Sequence, residues 1–190
     1  MYAPGAEAQK YFEYKTEDLA NANISQYHEK LPKNLPTRAN ELSVTGNAEL
    51  FYGTSCVLGE NMNMKFYFRP KDTEVTSLKL HYDDYRGEHH EITVDSSELE
   101  DAGNGFVSYT LETLVAGDID TKVTAILETA DGRRVEVEDS ISSYLERLKV
   151  SSSECRDIAE RMFQFGYFAK AYFLDLPDAV VLAPDETPIG

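Results

Sequence analysis

Met64-Lys65-Phe66-Tyr67-Phe68-Arg69 is the stretch whose reading decides the fold class. Successive side chains of an extended strand point to opposite faces, so Met64, Phe66 and Phe68 share one face while Lys65, Tyr67 and Arg69 share the other. One apolar face and one wet face is the pattern of a strand half-buried in an antiparallel sheet. The same period of two recurs at Leu78, Leu80 and Tyr82, at Val123, Ala125 and Leu127, and at Val135 and Val137. Asp131-Gly132, between Ile126-Leu127-Glu128 and Val135-Glu136-Val137, is a strong hairpin signal, because both residues tolerate positive φ. Arg86-Gly87 and Asn104-Gly105 mark further reversals. The region from Asn47 to Glu138 therefore predicts a small antiparallel β-sandwich, immunoglobulin-like, of six or seven strands.

Beyond Glu138 the period changes to 3.6. Ile141, Tyr144, Leu145 and Leu148 form one stripe, and Ser151 with Glu154 reads as a capping box for a longer helix. Along that helix Cys155, Ile158, Met162, Phe165, Ala169 and Tyr172 recur at steps of three and four. On the other side, Thr16 with the acidic residues after it predicts a short helix, a second runs from Ser25 to Leu31, and Pro32 and Pro36 end it. The predicted organisation is a helical segment and connector over 1–42, a sandwich over 43–138, a helical hairpin over 139–176 and a linker over 177–190. The fold class is α+β.

One motif occurs twice. Gly5-Ala6-Glu7-Ala8-Gln9-Lys10-Tyr11-Phe12 and Gly166-Tyr167-Phe168-Ala169-Lys170-Ala171-Tyr172-Phe173 both fit G-x-x-A-x-x-Y-F. The second copy closes a helical pattern, whereas the first starts four residues after Met1, too early for a stable helix before it. The expectation is one period of a tandem array, the first copy being the tail of a preceding unit.

With these segments in view, the chain resembles a repeating unit of large secreted and surface proteins of gut Firmicutes, Ruminococcus- and Lachnospiraceae-like. Gly5 to Asn23 is similar to the family's NYGAYAQKYFGYNTDNLAN. Phe51-Tyr52-Gly53-Thr54-Ser55-Cys56-Val57-Leu58 with Lys65-Phe66-Tyr67-Phe68 is similar to its FYGASLVL…LRFYF strands, and Ser140 to Phe173 to its paired helices. Ala3-Pro4, Phe165, Glu13-Tyr14-Lys15 and Leu174-Asp175-Leu176 depart from the family pattern. The resemblance implies a secreted or surface setting and neighbouring repeats, and brings no catalytic or binding residues with it.

Composition narrows the function classes. Among 190 residues, 34 acidic side chains against 18 basic ones give a formal net charge of −16. Such a polyanion is repelled by phosphate backbones and anionic lipid heads, which sets nucleic-acid binding aside. No apolar run approaches the roughly 18 residues that span a bilayer. No nucleophile elbow, P-loop, H-E-x-x-H, C-x-x-C or calcium-loop pattern is present, so no catalytic residue, cofactor or metal is expected. Cys56 and Cys155 read as two buried thiols or as a disulfide joining sheet to helix.

Two clusters are candidates for binding. His81, Asp83, Asp84, His89 and His90 flank a turn at Gly87, and imidazole with carboxylate suits zinc. Yet His89 and His90 point to opposite faces of a regular strand. Exposed polar residues at a hairpin tip are the plainer reading. The second cluster is tyrosine: Tyr67, Tyr82, Tyr85 and Tyr109, which stack on sugar rings or anchor a protein when they face outward. Tyr11-Phe12 and Tyr172-Phe173 read as packing residues. The expected function is a non-catalytic extracellular binding module for a host or dietary macromolecule, a protein such as immunoglobulin or mucin before a glycan. A carbohydrate-binding module and a structural spacer are the alternatives.

Overall fold

In the computed structural model, which describes residues 40–58, 61–152 and 154–174, the alternation around Phe66 does become a strand. The strands are β1 (Ser43–Gly46), β2 (Phe51–Leu58), β3 (Met62–Phe68), β4 (Val75–Asp83), β5 (His89–Val94), β6 (Glu100–Gly103), β7 (Phe106–Leu111), β8 (Val123–Thr129) and β9 (Arg134–Asp139). They form two antiparallel sheets, ordered β2-β3-β7-β6 and β1-β9-β8-β4-β5. Two helices follow, α1 (Ile141–Ser151) and α2 (Arg156–Phe173). The architecture is α+β and sandwich-like. The described residues fall into two compact units, Asn40–Tyr144 and the helical stretch from Leu145 onward.

The core lies where the alternation puts it. Met64, Phe66 and Phe68 are buried on β3, facing inward with Leu78, Leu80 and Tyr82 of β4, Ala125 and Leu127 of β8, and Val135 and Val137 of β9. Each such side chain contributes roughly 1.5–3 kcal/mol by leaving water. The Phe66 and Phe68 rings lie nearly parallel with centroids 6.4 Å apart, and Phe51 meets Phe68 edge-on at 6.2 Å. Thr54 of β2 donates a hydrogen bond of 2.6 Å to the buried Asp139 carboxylate of β9, tying the sheets at one edge.

Nine strands stand where six or seven were expected. The additional pieces include β1 and β6, four residues each, with no apolar period to betray them (SVTG and EDAG). Backbone pairing alone makes them strands. The three anticipated reversals all occur: β8 turns to β9 through Asp131 and Gly132, whose φ of +82° is the left-handed conformation that a compact hairpin turn uses. The others join β4 to β5 and β6 to β7.

Helix α1 begins because Ser140 caps it. Its hydroxyl accepts from the Ser143 backbone N–H at 3.1 Å, the usual geometry of a serine cap. The junction before α2 differs from the expected Ser151–Glu154 box: Ser151 still belongs to α1, and Ser152 accepts from the Cys155 N–H at 3.3 Å. The buried stripe of α2 is also rotated from the expected one. Ala159, Met162, Phe163 and Gly166 are buried, while Ile158, Phe165 and Ala169 are half-buried. Across the hairpin, Lys149 reaches Glu160 at 2.9 Å and lies over the Phe163 ring. Phe173, expected in the packing, is 55% exposed. Cys56 and Cys155 are free thiols, each half-buried. The first copy of the repeated motif, the N-terminal helices and connector, and the linker after Pro177 lie outside the described residues.

Gly46 has φ +81°, and a Cβ there would sit 2.5 Å from the Arg134 carbonyl oxygen, whereas a Cβ on Gly53 would meet nothing within 4 Å. Gly46→Ala is therefore expected to cost about 1–3 kcal/mol in urea unfolding. Gly53→Ala is expected to stay within about 0.5 kcal/mol of the wild type. Equal losses would contradict the close approach of β1 to β9.

Candidate functional site

Because Phe66 and Phe68 are fixed inward, Lys65, Tyr67 and Arg69 must face outward. The register then gathers the outer side of β2, β3 and β7: Ser55 opposite Lys65, Gly53 opposite Tyr67, and on the other side Ser108, itself fully buried, opposite Tyr67. A bulge between Phe51 and Gly53 throws Tyr52 outward, where it is 69% exposed. Its ring meets Phe106 with centroids 4.5 Å apart and an interplanar angle of 55°. The Arg69 guanidinium lies over Phe106 at 5.4 Å. Ser55 hydrogen-bonds the Tyr67 hydroxyl at 3.3 Å, and the Lys65 ammonium, paired with Glu100, sits over the Tyr67 ring at 5.7 Å. No residue of β2, β3 or β7 is an aspartate or glutamate, although the chain holds 34 of them. This is an aromatic face whose own three strands carry no acid, bordered on β6 by Glu100, which pairs with Lys65.

Of the four tyrosines singled out in the sequence, Tyr67 alone belongs to this face. Tyr82 is 4% exposed, its hydroxyl 2.7 Å from Thr113 Oγ1, so its ring has no surface to offer a ligand. Tyr109 pairs with Phe66 and so lies on the inner side of β7; burial pushes its phenol up, with Glu98 and Glu112 adding to the effect. Tyr85 sits after β4, its ring packed on the backbone of Gly117 and covered by the Arg86 guanidinium at 5.0 Å. Phe106 and Arg69 were not singled out. Their signal was the lack of acidic residues in three separated segments, which gains meaning only once those segments are neighbours.

The β4–β5 hairpin sorts the histidines. His81 pairs with Glu91, Tyr82 with His90 and Asp83 with His89. His81 and His89 thus share a face with Asp83, which lies 2.6 Å from His89 Nδ1. His90 is on the opposite face. Its ring stacks on Tyr82 with centroids 4.7 Å apart, and its Nε2 lies 3.3 Å from Asp84 Oδ2. The other Asp84 oxygen accepts from the backbone N–H groups of Arg86 and Glu88 at 2.8 and 2.9 Å.

Other shifted groups serve turns and burial. Burial pushes the Cys56 thiol up to about 12, which leaves it protonated and unreactive at neutral pH. Asp95 is held below its usual range by the backbone and hydroxyl of Ser97, and Asp131 by the Thr129 hydroxyl, against slight burial, with Arg133 adding to it. Among the described residues, no helix is long and apolar enough to cross a membrane. Compared with known protein families, curated proteins and solved structures, the chain matches none.

The depressed Asp131 carboxyl stabilises the fold when charged. That contribution is whole above the unfolded value near 3.8 and is lost as pH falls through the lower folded value. Asp131→Asn is therefore expected to be less stable than wild type in urea at about pH 7, with the gap narrowing as pH falls below the unfolded value near 3.8. A gap unchanged by pH would contradict the turn's electrostatics.

Proposed function

We propose that this chain is a non-catalytic binding module of a secreted or surface-attached bacterial protein, engaging a host protein such as immunoglobulin or mucin polypeptide. The binding face is the outer surface of β2, β3 and β7. The observation that carries this reading is the cluster of Tyr52, Tyr67 and Phe106 on strands without an acidic residue, with Arg69 just after β3 and the bordering Glu100 of β6 paired with Lys65. Interface cores are enriched in aromatic residues and arginine and depleted in aspartate and glutamate. A surface of this composition on a chain of net charge −16 is a local reversal of its chemistry.

A protein partner fits better than a glycan. Sugar rings stack on flat, open aromatic faces, whereas Tyr52 and Phe106 are tilted against each other and Lys65 lies over Tyr67. The sandwich supports a module of immunoglobulin type: the orders β2-β3-β7-β6 and β9-β8-β4-β5 follow the A-B-E-D and G-F-C-C′ connectivity of those domains. The repeated G-x-x-A-x-x-Y-F motif supports a place among neighbouring repeats.

The test is capture from serum, mucus and a polysaccharide panel by wild type, Tyr52→Ala and Tyr67→Ala, with circular dichroism confirming the fold. The expected result is capture of immunoglobulin or mucin polypeptide, weakened about tenfold or more in Tyr52→Ala and Tyr67→Ala. Capture of polysaccharide instead would establish the carbohydrate-binding alternative. No capture, or capture indifferent to both substitutions, would overturn the proposed face and favour a spacer.

A further inference from the structure

The β4–β5 hairpin brings together a group that neither the sandwich nor the aromatic face explains. Asp84, Glu88 and His90 each offer one ligand atom, and all of these atoms lie within 4.8 Å of one another. We propose that these three residues bind a divalent first-row transition ion, zinc foremost, at the hairpin tip.

Two of the three are already held in place. Asp84 spends one oxygen on the Arg86 and Glu88 backbone N–H groups, which aims the other at His90. His90 is fixed by its stack on Tyr82, a buried ring anchored in turn through its hydroxyl to Thr113. Tetrahedral ligands at about 2.0–2.1 Å from an ion stand about 3.3 Å from each other. Asp84 Oδ2 and His90 Nε2 are 3.3 Å apart as they stand. Glu88 is exposed, and its carboxylate lies within 4.8 Å of the other two ligand atoms as the third donor.

The donor set selects the ion. An imidazole nitrogen with two carboxylate oxygens suits zinc and its neighbours, whereas magnesium and calcium favour oxygen alone. The two carboxylates neutralise the ion's charge within a protein that is already strongly anionic. Three protein ligands leave a further position for water or for a group from a partner. The ion would clip the two ends of the hairpin turn together, joining Asp84 after β4 to His90 on β5.

The histidines on the other face supply the control. His81, His89 and Asp83 are equally close in sequence, but the strand register separates them from His90. The experiment is calorimetric titration of zinc chloride into the EDTA-stripped protein, with thermal unfolding followed in parallel. One zinc per chain and a raised Tm are expected for wild type and for the His81→Ala/His89→Ala double variant. His90→Ala and Glu88→Gln are expected to weaken binding about tenfold or more. Glu88 is exposed, so Glu88→Gln retains the fold, and the circular dichroism of each zinc-free variant checks this. No saturable binding by wild type would overturn the proposal. So would undiminished binding by folded His90→Ala and Glu88→Gln, or loss of binding in the double variant.

Discussion

Burial of the inner face of β3 is the constraint on which the rest of the structure depends. Phe66 and Phe68 are completely enclosed, so the strand has one acceptable registration. A slip by one residue would drive Lys65, Tyr67 and Arg69 into the core and expose both phenylalanines. The composition of the outer face is therefore set by the packing of the inner one. Tyr67 opposite Gly53, and Arg69 over Phe106, follow from the same register that aligns Phe66 with Tyr109. Truncating Phe66 to alanine would open a cavity in this core at a cost of roughly 3–5 kcal/mol.

The outer side of β2, β3 and β7 differs in chemistry from β9 and the β4–β5 hairpin. The outer side of β2, β3 and β7 is aromatic, neutral and locally cationic. On the other sheet, β9 alternates Glu136 and Glu138 with its buried valines, and the β4–β5 hairpin concentrates Asp83, Asp84, Glu88 and Glu91. Exposed charge of one sign limits association to surfaces where it is absent. Among the described residues, the acid-poor outer side of β2, β3 and β7 favours contact with a protein, while the acidic hairpin is the natural place for a cation. These surfaces use different residues and stand independently.

Much of this was legible in the chain because local rules and global packing agree. Period-two runs became β3, β4, β8 and β9, and the Asp131-Gly132 signal became the turn between the last two. What escaped depends on neighbours distant in sequence. Short β1 exists through its pairing with β9, and β6 through its pairing with β7. Tyr82 alternates with Leu78 and Leu80 and so is drawn inward, a fate its period announces and its polar hydroxyl disguises until Thr113 supplies a partner. The cap of α2 moved one residue because α1 extends through Ser151, a boundary that periodicity leaves loose. The histidine cluster divided because pairing of Tyr82 with His90 puts His90 on the inner side, away from His81 and His89.

Hydrogen–deuterium exchange, comparing the free protein with its complex with captured immunoglobulin or mucin polypeptide, tests the proposed binding face on β2, β3 and β7. Slowed exchange is expected over residues 51–58, 62–68 and 106–111, with residues 89–94 and 134–139 unchanged. Protection confined to β5 and β9, with β2, β3 and β7 exchanging as in the free protein, would contradict it.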